Sequence, residues 1–345
     1  MPFLCVDFFA IFIPTLTTII LKKIFLPALL AIGNIAMAQT RLVAVQQYRD
    51  SVVVFNLDNN TKIAQARIPF KSHEITYDAA TKKCFISNFG LEDYDLRIGK
   101  TGNTITIFDP FKGKVTGQIY TGGDTSAHNG PHGVKARPGK YSELFVNTEI
   151  GGDTMRVFST RDYKLKRLFA LPKGTHNFSF TAKGDTLWLM SGQNGVYRID
   201  PETGAILQHV DLPTPVRGLL IAKNWLVASC KNEIFLLSKV DLSTIKHFAN
   251  LQLKAGLILY SNITDDQKYI LVPAPFDSVV LVIDASTGEV VHRIETGDTP
   301  INVQVNGTKA YVSHAKDYMA TIDLNNFTSS KILKAYGTNG LLIIK

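Results

Sequence analysis

A unit of roughly 40 residues returns along the chain from residue 41 onward, and a period of that length marks a stack of identical supersecondary units. Its clearest copy runs from 278 to 313. It holds a strand-like run Val279-Val280-Leu281-Val282-Ile283, a turn Asp284-Ala285-Ser286-Thr287-Gly288, a second run Val290-Val291-His292-Arg293-Ile294, then Asn302 to Val305 and Ala310-Tyr311-Val312-Ser313. The phrase recurs around Asp200-Pro201-Glu202-Thr203-Gly204, Asp109-Pro110, Asp323 and, in worn form, Asp58. Asp followed by Pro and later Gly closes a tight turn, so these aspartates are expected to build turns rather than do chemistry.

Between the turns, short runs rich in Val, Ile, Phe and Tyr alternate, and helical periodicity is nearly absent; this is an all-β pattern. With 45% hydrophobic and 19% charged residues the chain carries enough apolar side chain for a large core, which excludes a disordered protein. Taking each unit as four strands from inner to outer, inner strands are expected to begin near His73, His132, His176, Arg217, Ala255, Ile301 and Asn339. Seven units of ~44 residues over 39–345 fit a seven-bladed β-propeller of four-stranded antiparallel blades. The segment Leu42-Val43-Ala44-Val45 reads as a second strand and Leu341-Leu342-Ile343-Ile344 as an inner strand. Pairing the two closes the ring and removes two open edges. One propeller domain, 39–345, is expected.

Residues 1–38 read as an upstream extension plus a signal peptide. Lys22-Lys23, an apolar run from Ile24 and the ending Ala36-Met37-Ala38 match the three regions of a cleavable leader, with cleavage expected after Ala38. The alternative, an uncleaved anchor, is interrupted by Pro14, Pro27, Gly33 and Asn34 and by the two lysines. Gln39 in place of Cys argues against a lipoprotein, and translation from Leu21 would produce a short leader of bacterial type. The expected address is periplasmic, secreted or cell-surface, with no transmembrane span in the mature chain and a monomeric state. Cys84 and Cys230 both lie in apolar runs and are expected to be separate buried thiols.

Gly130-Pro131-His132-Gly133-Val134, Phe85-Ile86-Ser87-Asn88, Tyr311-Val312-Ser313-His314 and Val282-Ile283-Asp284-Ala285-Ser286-Thr287-Gly288 resemble the bacterial YVTN-type repeat. The resemblance covers 41–345, although no copy reads Tyr-Val-Thr-Asn in full. It implies the seven-bladed propellers of surface-layer, periplasmic and lactonase-like proteins.

In such a unit the inner strand starts on the face where the second strand ends, so both positions ring one mouth of the central channel. The inner-start column supplies His73, His132, His176, Arg217 and Asn339; the second-strand ends supply Asn88, Thr148 with Glu149, Ser191 and His314. Four of the eight histidines thus share one rim. Two long loops belong to the same face: 89–102, with Glu92, Asp93, Tyr94, Asp95 and Arg97, and 121–130, with Asp124 and His128. His73, His132 and His176 with Glu149 are candidate ligands for a divalent metal. The same residues, with Arg217, His314, Asn88 and Asn339, could instead hold a small molecule by hydrogen bonds.

No Gly-x-Ser-x-Gly elbow or haem-attachment motif is present. A net charge of +8 with basic residues on outer strands favours an acidic glycan or anionic surface over nucleic acid. The leading expectation is an exported scaffold that binds a small ligand or a protein or glycan partner at the channel mouth. The competing one is a lactonase-like hydrolase or metal-dependent oxidoreductase using the histidine-rich rim.

Overall fold

The computed structural model describes residues 39–345 apart from 93, 94, 194 and the side chain of 95; the leader reading, Asp93 and Tyr94 lie outside the described residues. Residues Thr40–Lys345 form one compact unit. It holds seven four-stranded antiparallel sheets and one two-stranded hairpin, and among the described residues there is no helix, hence none able to cross a membrane.

Blade 1 joins the two ends of the unit. Leu341–Ile344 is its inner strand, followed outward by Arg41–Gln46, Ser51–Asn56 and Thr61–Arg67. Leu42 pairs with Ile343 and Ala44 with Leu341, which is the closure expected from the two partial units. Blades 2 to 7 follow in chain order, each with consecutive strands running from the axis outward. Among the described residues, blade 2 alone is interrupted, between its second strand Lys83–Asn88 and third strand Thr104–Asp109, by the hairpin Leu91–Glu92/Asp95–Gly99.

Second and third strands are buried on both faces because each sheet packs between two neighbours. Lys83–Asn88 and Thr104–Asp109 are almost wholly buried, whereas the outer strand Lys114–Tyr120 alternates. The core is therefore a series of inter-blade layers. Val43, Val45, Val52 and Val54 of blade 1, for instance, meet Ile75, Cys84, Ile86 and Phe108 of blade 2.

The repeat turns behave as their chemistry dictates. Asp284 Oδ1 accepts from the N–H groups of Ser286 and Thr287, and Asp200 and Asp109 do the same two and three residues on. The turn glycine has a further role: a Cβ on Gly288 would lie 2.3 Å from Phe248, and one on Gly204 would lie 2.4 Å from Phe169. Each aromatic belongs to the outer strand of the preceding blade, so the bare backbone of one turn is the socket for its neighbour's ring.

One strand starts elsewhere than expected. The inner strand of blade 6 is only Asn262–Ile263, not a strand from Ala255. Pro273 in the adjacent second strand accepts from Leu259 N through its carbonyl, so its missing N–H faces the inner side and regular pairing stops short of it. Cys84 and Cys230 are separate, buried thiols, and burial pushes the Cys230 thiol up to about 12.

Candidate functional site

The histidines reach the mouth through irregular strand starts. In blades 2, 3 and 4 the inner strands Ser72–Asp78, Pro131–Ala136 and Thr175–Phe180 each shift register within their first few residues. Such a bulge re-aims side chains. It also frees backbone donors, which second-strand side chains satisfy: Glu74 N donates to Ser87 Oγ (3.0 Å), and Gly133 N donates to Asn147 Oδ1 (2.6 Å). A Cβ at Gly133 would have to displace the side-chain amides of both Asn147 and Asn177. Asn147 Nδ2 in turn donates to the carbonyls of Thr175 and His176, tying the blade 3 bulge to that of blade 4.

Three of the expected rim histidines consequently pack as a continuous row. The His73 and His132 rings lie 4.3 Å apart edge to face, and His132 and His176 lie 4.4 Å apart. Phe89 closes the row from the 89–102 loop, with its ring 4.9 Å from His132. His73 and His132 are fully buried; His176 retains partial exposure.

Glu149, from the turn after the second strand of blade 3, faces two of these rings. Its Oε1 lies 3.5 Å from His132 Nδ1 and 3.3 Å from His176 Nδ1, and one ligand atom from each of the three residues lies within 4.8 Å of the others. A tetrahedral shell with metal–ligand bonds of about 2.0–2.1 Å sets its ligand atoms about 3.3–3.4 Å apart. Two of the three separations already match that value. His73 stands behind, its Nδ1 2.6 Å from Asn339 Nδ2, which also donates to Gln47 Oε1.

A cavity of about 390 Å³ opens beside Glu149 and His176. Arg217 and Lys173 line it, as do Phe89 and Leu96 of the blade 2 hairpin. The Arg217 guanidinium lies over Gly192, where even a Cβ would sit 3.6 Å from its carbon. Asp153 is in the same wall and accepts from Gly174 N. Burial, reinforced by the charge of Glu149, pushes its carboxyl above the ordinary aspartate range.

The remaining candidates are placed apart from this cluster. Asn88 accepts from Ser72 Oγ and donates to Thr104 and Thr106, a closed set of buried bonds within blade 2. The His314 ring bonds to Thr296 Oγ1 in a dry setting, where burial lowers its pKa to about 4. His209, His247 and His292 lie on outer strands and stack on Tyr197, Phe235 and Phe327.

Sequence reading missed Phe89, Asp153, Lys173 and above all Glu74. Glu74 is buried one residue after His73, with Lys135 Nζ 3.7 Å away. Burial opposes its charge, but Lys135 and then the three histidines outweigh burial and hold its carboxyl below the usual range. The signal available in the sequence was an acid directly after a rim histidine at the start of an inner strand.

No family model matches the chain, and no curated protein matches it by sequence. Solved structures do share its fold. A functionally unknown protein from Desulfotomaculum acetoxidans is 13% identical, with a TM-score of 0.66 over 89% of this chain and 99% of that one. The dihydro-heme d1 dehydrogenase NirN, solved in complex with DHE, is also 13% identical, with a TM-score of 0.63 over 88% of this chain and 74% of its own. The computationally designed Ika8 protein is 10% identical, with a TM-score of 0.61 over 90% and 89%.

Proposed function

We propose that this chain is an exported propeller of the YVTN-repeat kind whose channel mouth binds a divalent transition metal through His132, Glu149 and His176, and a small anionic molecule beside it. The observation that supports this is the convergence of two imidazoles on one carboxylate oxygen at separations suited to a shared ion. Two neutral nitrogens and one oxygen suit Zn²⁺ and its neighbours, and three protein ligands leave a four-coordinate shell room for a ligand atom. Arg217 and Lys173 supply positive charge in the adjoining cavity. His73 is assigned a positioning role, its edge against His132 and its Nδ1 held by Asn339.

NirN carries DHE in its structure. Here rings 4.3 and 4.4 Å apart leave no gap for a flat macrocycle between them, which favours an ion as the occupant of the row. A second reading, hydrolysis of a small lactone or ester at the same place, draws on Asp153, a carboxyl in the cavity wall whose hold on a proton is raised above the ordinary aspartate range by burial.

The test is titration of the purified protein with Co²⁺ and Zn²⁺, read by absorption and elemental analysis. One equivalent is expected to bind. His132→Ala, His176→Ala and Glu149→Gln should each weaken binding by roughly tenfold or more, while His314→Ala leaves it unchanged. Binding should weaken as the pH is lowered, because protons compete with the metal for the ligand nitrogens. A protein that retains no ion, or variants that bind like the parent, would overturn the proposal.

A further inference from the structure

The same face of the ring carries a second feature, at the seam where the two ends of the unit meet. A groove of about 550 Å³ runs between blade 1 and the loops of blade 7. Its walls hold Arg49, Arg67 and Lys334, all exposed, and no acidic residue lines it. Among the described residues these three cations enter no ion pair, whereas the nearby Lys331 is neutralised by Asp317. The charge in the groove is therefore uncompensated.

Between the cations stand two tyrosines. The Tyr318 and Tyr336 rings meet edge to face, 5.5 Å apart. The Arg49 guanidinium lies 5.0 Å above Tyr336 and the Lys334 ammonium 5.7 Å from Tyr318, so cation, ring, ring and cation follow one another along the groove. Below them is a polar floor. Ser51 Oγ and Gln65 Nε2 both donate to Gln46 Oε1, and Gln46 Nε2 is fastened to the carbonyl of Tyr336.

We infer that this groove binds an acidic polysaccharide through its uronate carboxylates. Guanidinium forks match carboxylates in a bidentate way, and tyrosine hydroxyls together with side-chain amides and hydroxyls suit a ligand rich in hydroxyl groups. An open groove admits a chain where a closed pocket would admit only a monomer. Nucleic acid fits less well: the tyrosines stand at 78° to one another with cations over them and offer no parallel platform for bases. A flat anionic bilayer cannot follow a concave wall.

The experiment uses the full protein and a hexameric oligogalacturonate, with dextran, oligo-dT and phosphatidylglycerol vesicles as comparators, measured by calorimetry at low and moderate salt. Oligogalacturonate is expected to bind, more weakly as salt rises. The combined Arg49→Gln, Arg67→Gln, Lys334→Gln variant should lose at least roughly tenfold in affinity, and Tyr318→Ala a smaller part of it. The His132→Ala, His176→Ala double variant should bind the glycan unchanged, so failure here and failure of the metal site are separately visible. Absence of oligogalacturonate binding, an unaffected triple variant, or tighter binding of oligo-dT or vesicles through the same residues would overturn the inference.

Discussion

At the scale of single residues, similar histidines acquire opposite roles from their surroundings. His132 and His176 face a carboxylate at the mouth, whereas His314 is enclosed and its pKa falls to about 4, chiefly by burial, with Lys331 adding to the fall and Asp317 and Asp298 opposing it. The consequence for stability has a definite sign. The unfolded chain binds this proton near pH 6.5 and the folded protein only near 4, so stability is fully present above about 6.5 and is lost as pH falls through that window. Urea unfolding measured from pH 7 to 4 should show a decline to which His314 contributes up to about 3 kcal/mol. His314→Gln, able to keep the bond to Thr296, should flatten that part of the curve; an unchanged slope would show that other groups carry it. Position along the repeat made all four rim histidines visible in sequence. Ring direction was not visible, because a one-residue bulge turns a side chain and leaves the apolar pattern of the strand intact.

At the scale of elements, the contact between a turn and the neighbouring outer strand explains why the repeat carries glycine where it does. Gly288 sits at a φ of +81° and its missing Cβ is the space filled by Phe248. Gly288→Ala should cost about 2 kcal/mol, combining left-handed backbone strain with the collision. Phe248→Ala alone should cost about 3 kcal/mol. The double variant should lose less than the sum, by about 1 kcal/mol, because removal of the ring relieves the collision; strict additivity in denaturation curves would disprove the socket. The turn itself was legible from Asp284 and Gly288, while its partner was not, since nothing local connects residue 288 with residue 248. The short inner strand of blade 6 shows the reverse case. Leu251, Leu253, Leu257 and Leu259 have a strand-like spacing, yet Pro273 withholds the donor that a regular ladder would need.

At the scale of the whole molecule, the ring is held by the ladder between Arg41–Gln46 and Leu341–Ile344. Deleting residues 341–345 removes the buried Leu341 and Ile344, a loss of about 4 kcal/mol from those side chains alone, and exposes a strand edge. A fall in Tm together with aggregation by light scattering is expected, and an unaltered Tm would show that closure contributes little. The number of blades, the order of strands and the joining of the two ends were all determined by the sequence, because period, turn chemistry and alternation are local properties that each copy of the repeat states again. Tertiary structure decided which rim residues meet. The His132, Glu149 and His176 separations depend on bulges and on the angle between neighbouring blades, and the seam groove brings Arg49 beside Tyr336, residues distant in the chain. Contacts of a few ångströms between different blades are products of packing, and no repeat carries them within its own length.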